Sequence, residues 1–171
     1  MSASSQASTT SPSSNKTTCV FCRIAQGEMK PGRKENPQEL LFENEQVVAF
    51  ADGSPVSDWH VLVIPKRHAR TCWDLTPALL EEIERVAQEL ISGSERLSDP
   101  PPPNTNYFLT FFSRPPFVSV GHAHLHVIRL PMSRFSLWNP LHWHYKLPPI
   151  QVSTAELRSY LKNRKENNTP E

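Results

Sequence analysis

The sequence predicts an α+β domain, in which an antiparallel sheet of about five strands packs against one long helix and a C-terminal helix. Three observations support this fold class. Short segments rich in Val, Ile and Phe are joined by brief turns, one segment has apolar residues at helical spacing, and one strand-like segment alternates histidines with apolar residues. The length of 171 residues suits one domain with terminal tails.

The first half of the chain predicts a tail, a short helix and three strands. Residues 1–18 are mostly Ser, Thr, Ala and Gln and are predicted to be a disordered tail, whereas residues 19–26 fit a short helix. Apolar segments separated by the turn sequences Asn44-Glu45 and Gly53-Ser54-Pro55 then predict three strands. These strands are expected over residues 40–43, 46–51 and 59–65.

The long helix is predicted to begin at Thr76 and Pro77. Proline is tolerated in the first helical turn because its missing N–H would have no partner there. The apolar residues that follow recur at helical spacing, so we expect them in the core. They are Leu79, Ile83, Val86, Ala87 and Leu90.

Two further strands and a terminal helix are predicted after the proline run at 100–103. Residues 107–112 form a strongly apolar strand, which leads to a histidine strand over 121–130. Ser153 and Glu156 form a capping box for the last helix. The expected organisation is a domain over 19–150, a helical segment over 151–166 and a frayed end over 167–171.

Composition excludes several partner classes. Lys and Arg number 18 against 17 Asp and Glu, so the formal charge of +1 provides no general field for nucleic acid or membranes. Three cysteines without an apolar leader argue against a secreted disulfide scaffold, and no segment reaches the roughly 18 apolar residues of a spanning helix. We therefore expect a protein of the cytoplasm or the nucleus, without a membrane or nucleic-acid partner.

The histidine segment reads Gly-His-Ala-His-Leu-His-Val-Ile-Arg-Leu. On an extended strand its histidines would stand on one face about 6.6 Å apart, with apolar residues on the opposite face. Neutral imidazoles in such a row can ligate a metal, or one of them can act as a nucleophile that its neighbours hold in the right tautomer. The segment is therefore predicted to be a functional site built from His122, His124 and His126.

Four segments together resemble the histidine-triad (HIT) superfamily of nucleotide hydrolases and transferases, in the family's order and spacing. They are Cys-Val-Phe-Cys-Arg-Ile at 19–24, Val-Ala-Phe-Ala-Asp at 48–52, His-Val-Leu-Val-Ile-Pro-Lys-Arg-His at 60–68 and Ser-Val-Gly-His-Ala-His-Leu-His-Val-Ile at 119–128. The Cys-x-x-Cys start and the Pro-Pro-Phe segment at 115–117 are most similar to the Hint and aprataxin branch, which contains the adenosine 5′-monophosphoramidases.

This resemblance implies hydrolysis of an AMP-linked small molecule, foremost a nucleoside phosphoramidate, through an adenylyl-histidine on His124. It also implies that His126 donates to phosphate oxygens and that His122 and His68 orient the nucleophile or its surroundings. Ser119 matches a serine that hydrogen-bonds the phosphate or the leaving group. No organic cofactor is implied.

The nucleotide is expected to contact Asp52 and Gly53, since the carboxylate of Asp52 matches the residue that accepts from the ribose hydroxyls. Stabilisation of the turn that follows is an equally good account of Asp52. Apolar residues match the walls of the base pocket, and core packing explains them equally well. They are Phe21, Ile24 and Phe50.

Two positions depart from the Hint pattern. Val118 stands where Hint members carry Gln, directly before the serine, and Phe111 falls where they carry Asn. We therefore expect the phosphate contacts and the protonation of the leaving group to differ, and with them the preferred substrate.

A zinc site is the expected cofactor site. Cys19 and Cys22 form a Cys-x-x-Cys turn that can place two thiolates on one ion, and His68 and His122 are the candidates to complete the set. The alternative is that both thiols are reduced helix residues without a metal. Cys72 lies outside this pattern and is predicted to be a free thiol.

Other functions remain open from the sequence. An aprataxin-like deadenylase of nucleic-acid ends or a dinucleoside polyphosphate hydrolase would use the same nucleophile. The histidines could instead form a catalytic metal site, or the domain could be a non-catalytic nucleotide-binding module. The Hint resemblance implies a homodimer, and His142-Trp143-His144 would line the leaving-group side or pack on the surface.

Overall fold

Three α-helices and eight strands occur in the residues described by the computed structural model, which are 19–33, 36–95, 107–132 and 148–167. The predicted tail at 1–18, the proline run and His142-Trp143-His144 lie outside these ranges. The helices are α1 (Val20–Ala25), α2 (Pro77–Glu95) and α3 (Thr154–Asn167). The strands are β1 (Gly32–Arg33), β2 (Asn36–Pro37), β3 (Phe42–Glu43), β4 (Val47–Ala51), β5 (His60–Pro65), β6 (Phe108–Ser113), β7 (Leu125–Arg129) and β8 (Gln151–Val152).

The main sheet has six described strands in the order β3-β4-β5-β7-β6-β8, and every neighbouring pair is antiparallel. The α+β class with an antiparallel sheet is therefore confirmed. The five predicted strands correspond to β3 to β7. Strand β8 and the separate β1-β2 hairpin were not predicted, because elements of two residues carry no measurable periodicity.

The two faces of the sheet bury different sets of apolar residues. Val47, Ala49, Val61 and Val63 belong to the larger core, which also contains the buried side chains of α2 and α3. Their neighbours in sequence point the other way and pack against α1 in a second cluster. Strands β4 and β5 are thus buried on both faces, which explains why their sequences are continuous apolar runs rather than alternating ones.

The predicted long helix is confirmed as α2. The hydroxyl of Thr76 accepts from the N–H of Leu79 at 3.2 Å, so Thr76 caps the helix. The predicted apolar stripe is buried apart from Leu90, which is partly buried against the same core.

Replacing Thr76 with alanine removes this cap and is expected to cost about 1 kcal/mol of unfolding free energy. For a chain of this size that loss lowers the Tm by roughly 2–4 °C. Thr76→Ser keeps the hydroxyl and is the control, with a Tm close to that of the parent in thermal denaturation. Equal losses in the two variants would contradict the capping role.

The terminal helix α3 begins after Ser153 as predicted, since the hydroxyl of Ser153 accepts from the N–H of Glu156 at 3.1 Å. The carboxylate of Glu156 does not complete the reciprocal capping box. It accepts from the guanidinium of Arg114 at 2.6 Å instead. Leu157 and Leu161 are buried in the larger core, so the helix is packed onto the sheet.

The predicted extent of the histidine strand is wrong, because β7 begins only at Leu125 and contains one of the three histidines, His126. The preceding backbone bonds elsewhere: the N–H of Ala123 donates to the carbonyl of Ala69 at 2.6 Å. Alternation nevertheless persists, since Ala123 and Leu125 enter the larger core.

None of the helices in the described ranges combines the length and apolarity that crossing a membrane requires.

Candidate functional site

A cavity of about 670 Å³ lies against α1, with two triad histidines among its lining residues. His124 and His126 are only 4% and 3% exposed, so their rings are almost completely covered and present only an edge to the cavity. Most of the other lining residues come from α1, strand β4, the turn after it and the segment before the triad. They include Phe21, Ile24, Phe50, Asp52, Gly53 and Ser119.

The tautomer of His124 is determined by a backbone contact. Its Nδ1 lies 2.6 Å from the carbonyl oxygen of His122, and a carbonyl can only accept, so Nδ1 carries the proton. The lone pair of the neutral ring is therefore on Nε2. Phe21 holds the ring from the side in an edge-to-face contact, with centroids 5.3 Å apart. A neutral imidazole oriented in this way can act as a nucleophile.

A second set of contacts orients His126. The N–H of Val56 donates to Nδ1 of His60 at 3.4 Å, which leaves the His60 proton on Nε2. That Nε2 lies 3.0 Å from Nδ1 of His126, so His126 accepts on Nδ1 and carries its own proton on Nε2. The Nε2 of His126 lies 3.3 Å from the hydroxyl of Ser113. The arrangement makes Nε2–H of His126 a hydrogen-bond donor, and the ring is also part of the cavity lining.

His60 lies within the strand predicted over 59–65, and it is the first residue of β5. Its contact with His126 was missed, because 66 residues separate the two histidines and no local pattern joins them. Asp52 also approaches this pair, with Oδ2 at 3.5 Å from Nε2 of His60. The only sequence signal for His60 was its place at the start of the His-Val-Leu-Val-Ile-Pro segment.

Phe111, one of the two departures from the Hint pattern, lies directly against the triad. It is paired with His126 across β6 and β7, is 2% exposed, and stacks on the imidazole with centroids 5.1 Å apart. An apolar ring therefore covers His126 where an amide would offer hydrogen bonds. Val118, the other departure, lines the main cavity beside Ser119.

The predicted nucleotide contacts surround the same cavity. Phe21, Ile24 and Phe50 belong to one buried cluster, so they serve both as cavity wall and as core. Asp52 also has two roles, because its Oδ1 accepts from the N–H of Ser54 at 2.7 Å and stabilises the turn. Ser119 is exposed and lines the cavity at the end that leads away from Asp52 toward His68 and Gly121.

The four predicted metal ligands form a second cluster. The ligand atoms of Cys19, Cys22, His68 and His122 all lie within 4.8 Å of one another. The Sγ of Cys22 is 3.2 Å from Nδ1 of His68, and the Sγ atoms of both cysteines are 3.5 Å from Nδ1 of His122. A tetrahedral zinc with Zn–S near 2.3 Å and Zn–N near 2.0–2.1 Å separates sulfur and nitrogen by about 3.5 Å, so the donor set fits this ion.

The imidazole of His122 is directed to this cluster rather than to the cavity. Its Nε2 donates to the carbonyl of Pro65 at 2.9 Å, which leaves the Nδ1 lone pair toward the cysteines. Burial lowers the pKa of His122 to about 4, so the ring is neutral near pH 7, as a metal ligand must be. Its backbone carbonyl accepts a hydrogen bond from Nδ1 of His124, and this bond links the cluster to the ring of His124.

Cys72 lies apart from this cluster, as predicted, and is a free thiol. It is buried in the short turn Cys72–Asp74 that follows His68, and burial raises the pKa of its thiol to about 12. The thiolate form is therefore suppressed at Cys72.

Sequence comparisons match most of the described chain. A family model described as "Scavenger mRNA decapping enzyme C-term binding" matches residues 18–142. The chain is 37% identical over 131 residues to adenosine 5′-monophosphoramidase HINT3 of Mus musculus, which covers 72% of this chain and 69% of that protein. It is 37% identical over 113 residues to the bifunctional adenosine 5′-phosphosulfate phosphorylase/adenylylsulfatase HINT4 of Arabidopsis thaliana, covering 66% and 70% of the two chains.

Solved structures support the same relationship. A HIT family hydrolase from Legionella pneumophila Philadelphia 1 is 28% identical and matches with a TM-score of 0.53 over 72% of this chain and 99% of that chain. A HIT family protein from Bacillus anthracis is 22% identical and shares the fold, with a TM-score of 0.58 over 91% of this chain and 100% of that chain.

Proposed function

Because this chain belongs to the histidine-triad superfamily, we propose that it is a nucleotide hydrolase that releases AMP from a nucleoside phosphoramidate through an adenylyl-histidine on His124. The observation that carries the proposal is the contact between Nδ1 of His124 and the carbonyl of His122. With the proton on Nδ1, the neutral form of this ring would attack through Nε2, and the ring is part of the lining of a cavity of nucleotide size.

In the first proposed step, Nε2 of His124 attacks the α-phosphorus. The bond from phosphorus to His124 forms while the bond to the leaving nitrogen breaks. The departing amine must gain a proton, which solvent would supply through the hydroxyl of Ser119, with Nε2–H of His126 as a further hydrogen-bond donor in the lining. The same donors stabilise the charge on the phosphate oxygens.

In the second proposed step, water attacks the phosphorus of the adenylyl-histidine. A phosphorus–oxygen bond forms and the bond to His124 breaks, which returns the neutral imidazole and releases AMP and a proton. Phe21, Ile24 and Phe50 would hold the base, and Asp52 would accept from the ribose hydroxyls. This division agrees with the apolar character of the walls and with Asp52 as the single carboxylate in the described part of the lining.

We propose that Cys19, Cys22, His68 and His122 hold a structural zinc ion. Support comes from the donor set and from distances that match the edges of a tetrahedron. Bound there, zinc would crosslink α1 to the loop after β5 and to the triad segment. In this proposal the residues of the triad perform the chemistry, and the cluster keeps the carbonyl of His122 in place under His124.

The direct test combines turnover with trapping of the intermediate. Purified protein is incubated with adenosine 5′-phosphoramidate, AMP is followed by chromatography, and an acid- or base-quenched sample is measured by intact-protein mass spectrometry. We expect AMP release and, on rapid quenching, a mass increase of one adenylyl group that fragmentation assigns to His124. AMP release without any adduct on His124 would reject the covalent route. Absence of AMP release would favour the non-catalytic module.

His60 is expected to position His126 without touching the substrate. His60→Leu removes the donor to Nδ1 of His126 and is expected to lower kcat roughly 10²-fold with little change in KM, since misplacing a catalytic group by about 1 Å has such a cost. His60→Gln keeps an N–H donor and should retain more activity. Steady-state kinetics with adenosine 5′-phosphoramidate measure both, and equal losses in Leu and Gln variants would contradict the hydrogen-bond role.

A further inference from the structure

A second cavity, of about 460 Å³, adjoins the proposed nucleotide cavity. The two share lining residues Val20, Ser119 and Val120, so they meet at the segment that precedes the triad. Arg70 is the single Lys, Arg, Asp or Glu in the described lining of the second cavity. The proposed nucleotide cavity also has one such residue in its described lining, and it is Asp52.

The backbone on both sides of Arg70 is anchored. The carbonyl of Ala69 accepts from the N–H of Ala123, between two triad histidines, at 2.6 Å. On the other side, the N–H and the hydroxyl of Thr71 donate to the carboxylate of Asp74 at 2.9 and 2.8 Å. Arg70 therefore projects from a backbone that is tied directly to the triad segment.

Arg70 is also close to the proposed nucleophile. A small void beneath the surface has both Arg70 and His124 in its lining, together with Val118 and Ser113. The Cγ of Arg70 would be 3.9 Å from a Cβ placed on Gly121, so the aliphatic part of the side chain lies over the glycine that precedes His122. A guanidinium on this stem can reach groups bound beside Ser119.

The guanidinium of Arg70 makes no ion pair or hydrogen bond with any residue in the described ranges, and the side chain is exposed. Its neighbour Arg67, by contrast, donates to the carbonyl of Asp74 at 3.3 Å. Five donors with no described protein acceptor, at the edge of a cavity, are available to a ligand.

The charges thus divide the combined cleft into two ends, with His124 between them. Asp52 and the apolar wall suit the ribose and the base, whereas Arg70 marks the end where the group attached to the phosphate must leave. An ammonium or a neutral amine gains nothing from a guanidinium there, but a sulfate, phosphate or carboxylate gains a charge-assisted, bidentate hydrogen bond.

We infer that Arg70 is a specificity residue that extends the proposed hydrolase, beyond the phosphoramidate, to AMP-linked substrates whose leaving group is an oxyanion. The inference rests on the proposed function, since it assigns the substrate class of that same site. In the reaction the adenylyl group is transferred to His124. A bond forms between phosphorus and Nε2 of His124, the bond between phosphorus and the bridging oxygen breaks, and its electron pair leaves with the oxyanion. Sulfate departs as an anion without needing a proton, and Arg70 neutralises the charge that develops on it.

The experiment compares three matched substrates with the parent protein and Arg70→Gln. Adenosine 5′-phosphosulfate and ADP carry anionic leaving groups, sulfate and phosphate respectively, whereas adenosine 5′-phosphoramidate carries an amine. We expect Arg70→Gln to lower kcat/KM roughly 10- to 100-fold for whichever of the two anionic substrates the parent protein cleaves with the higher kcat/KM. This is the usual loss when a charge-assisted hydrogen bond is removed. The same variant should change kcat/KM for the phosphoramidate less than about threefold.

Arg67→Gln is the matched control, because it removes an exposed arginine three positions away that lines neither cavity. It should leave all three substrates unchanged. Loss of activity on the anionic substrates alone, in Arg70→Gln alone, supports the inference. Equal effects on all substrates, no effect of Arg70→Gln, or a parent protein that cleaves the phosphoramidate alone would overturn it while leaving the proposed hydrolase intact. A parent protein that cleaves none of the three, without an adduct on His124, rejects the proposed function itself.

Discussion

Replacing His124 with alanine is expected to lower kcat/KM for adenosine 5′-phosphoramidate by roughly 10⁴-fold or more, the scale on which loss of a covalent nucleophile acts. The physical reason lies in three properties that only His124 combines among the triad histidines. A carbonyl contact determines its tautomer, its lone pair is on Nε2, and its ring is part of the cavity lining. His122 is directed to the cysteines, and His126 accepts on Nδ1 from His60. AMP release in a coupled or chromatographic assay measures the effect.

The companion variant for this prediction is His124→Gly, with imidazole added to the assay. Free imidazole can enter the space left by the ring and supply a nucleophilic nitrogen, so partial rescue of AMP release is expected. An unchanged Tm in both variants would show that the fold is retained. Substantial residual activity in His124→Ala, with a preserved fold, would contradict the nucleophilic role and move the chemistry to another group.

Removing the proposed zinc site is expected to have the largest effect on stability. Cys22 is 1% exposed and contributes the Sγ that lies near both His68 and His122. Cys22→Ala should abolish stoichiometric zinc and cost at least about 3 kcal/mol, because metal binding contributes directly to folding free energy. At roughly 2–4 °C per kcal/mol for a chain of this length, the Tm should fall by about 6–12 °C.

Cys72→Ala is the matched control, because Cys72 is equally buried but lies outside the cluster. It should retain one zinc per chain by elemental analysis, and a chelator should still lower its Tm. In Cys22→Ala the chelator should have no further effect, which separates loss of the metal from loss of a buried side chain. A parent protein purified from zinc-containing medium that holds no zinc would refute the site.

Sequence patterns predicted the fold class, the long helix and the existence of the site, because these depend on short-range periodicity and on motifs of a few residues. Thr76, the apolar stripe of α2 and Ser153 lie where spacing and capping preferences place them. The extent of β7 was mispredicted because Ala123 bonds to Ala69, a contact that alternation along the strand does not reveal.

The orientation of the site residues depends on contacts between distant parts of the chain. His122 was predicted both as a triad member and as a ligand, and only the folded chain shows that its ring lies with Cys19, 103 residues away, while its carbonyl meets His124. His60 stood in a matching segment without a predicted role and Arg70 stood in no motif, yet packing brings them to His126 and to the cavity edge.

Local spacing is enough to place histidines on one side of a chain, because backbone geometry repeats every two residues. Local spacing does not determine which ring nitrogen of a histidine carries the proton or which arginine lacks a counter-charge. Those properties depend on partners dozens of residues away, and these meet only when the sheet, α1 and the loop after β5 pack together.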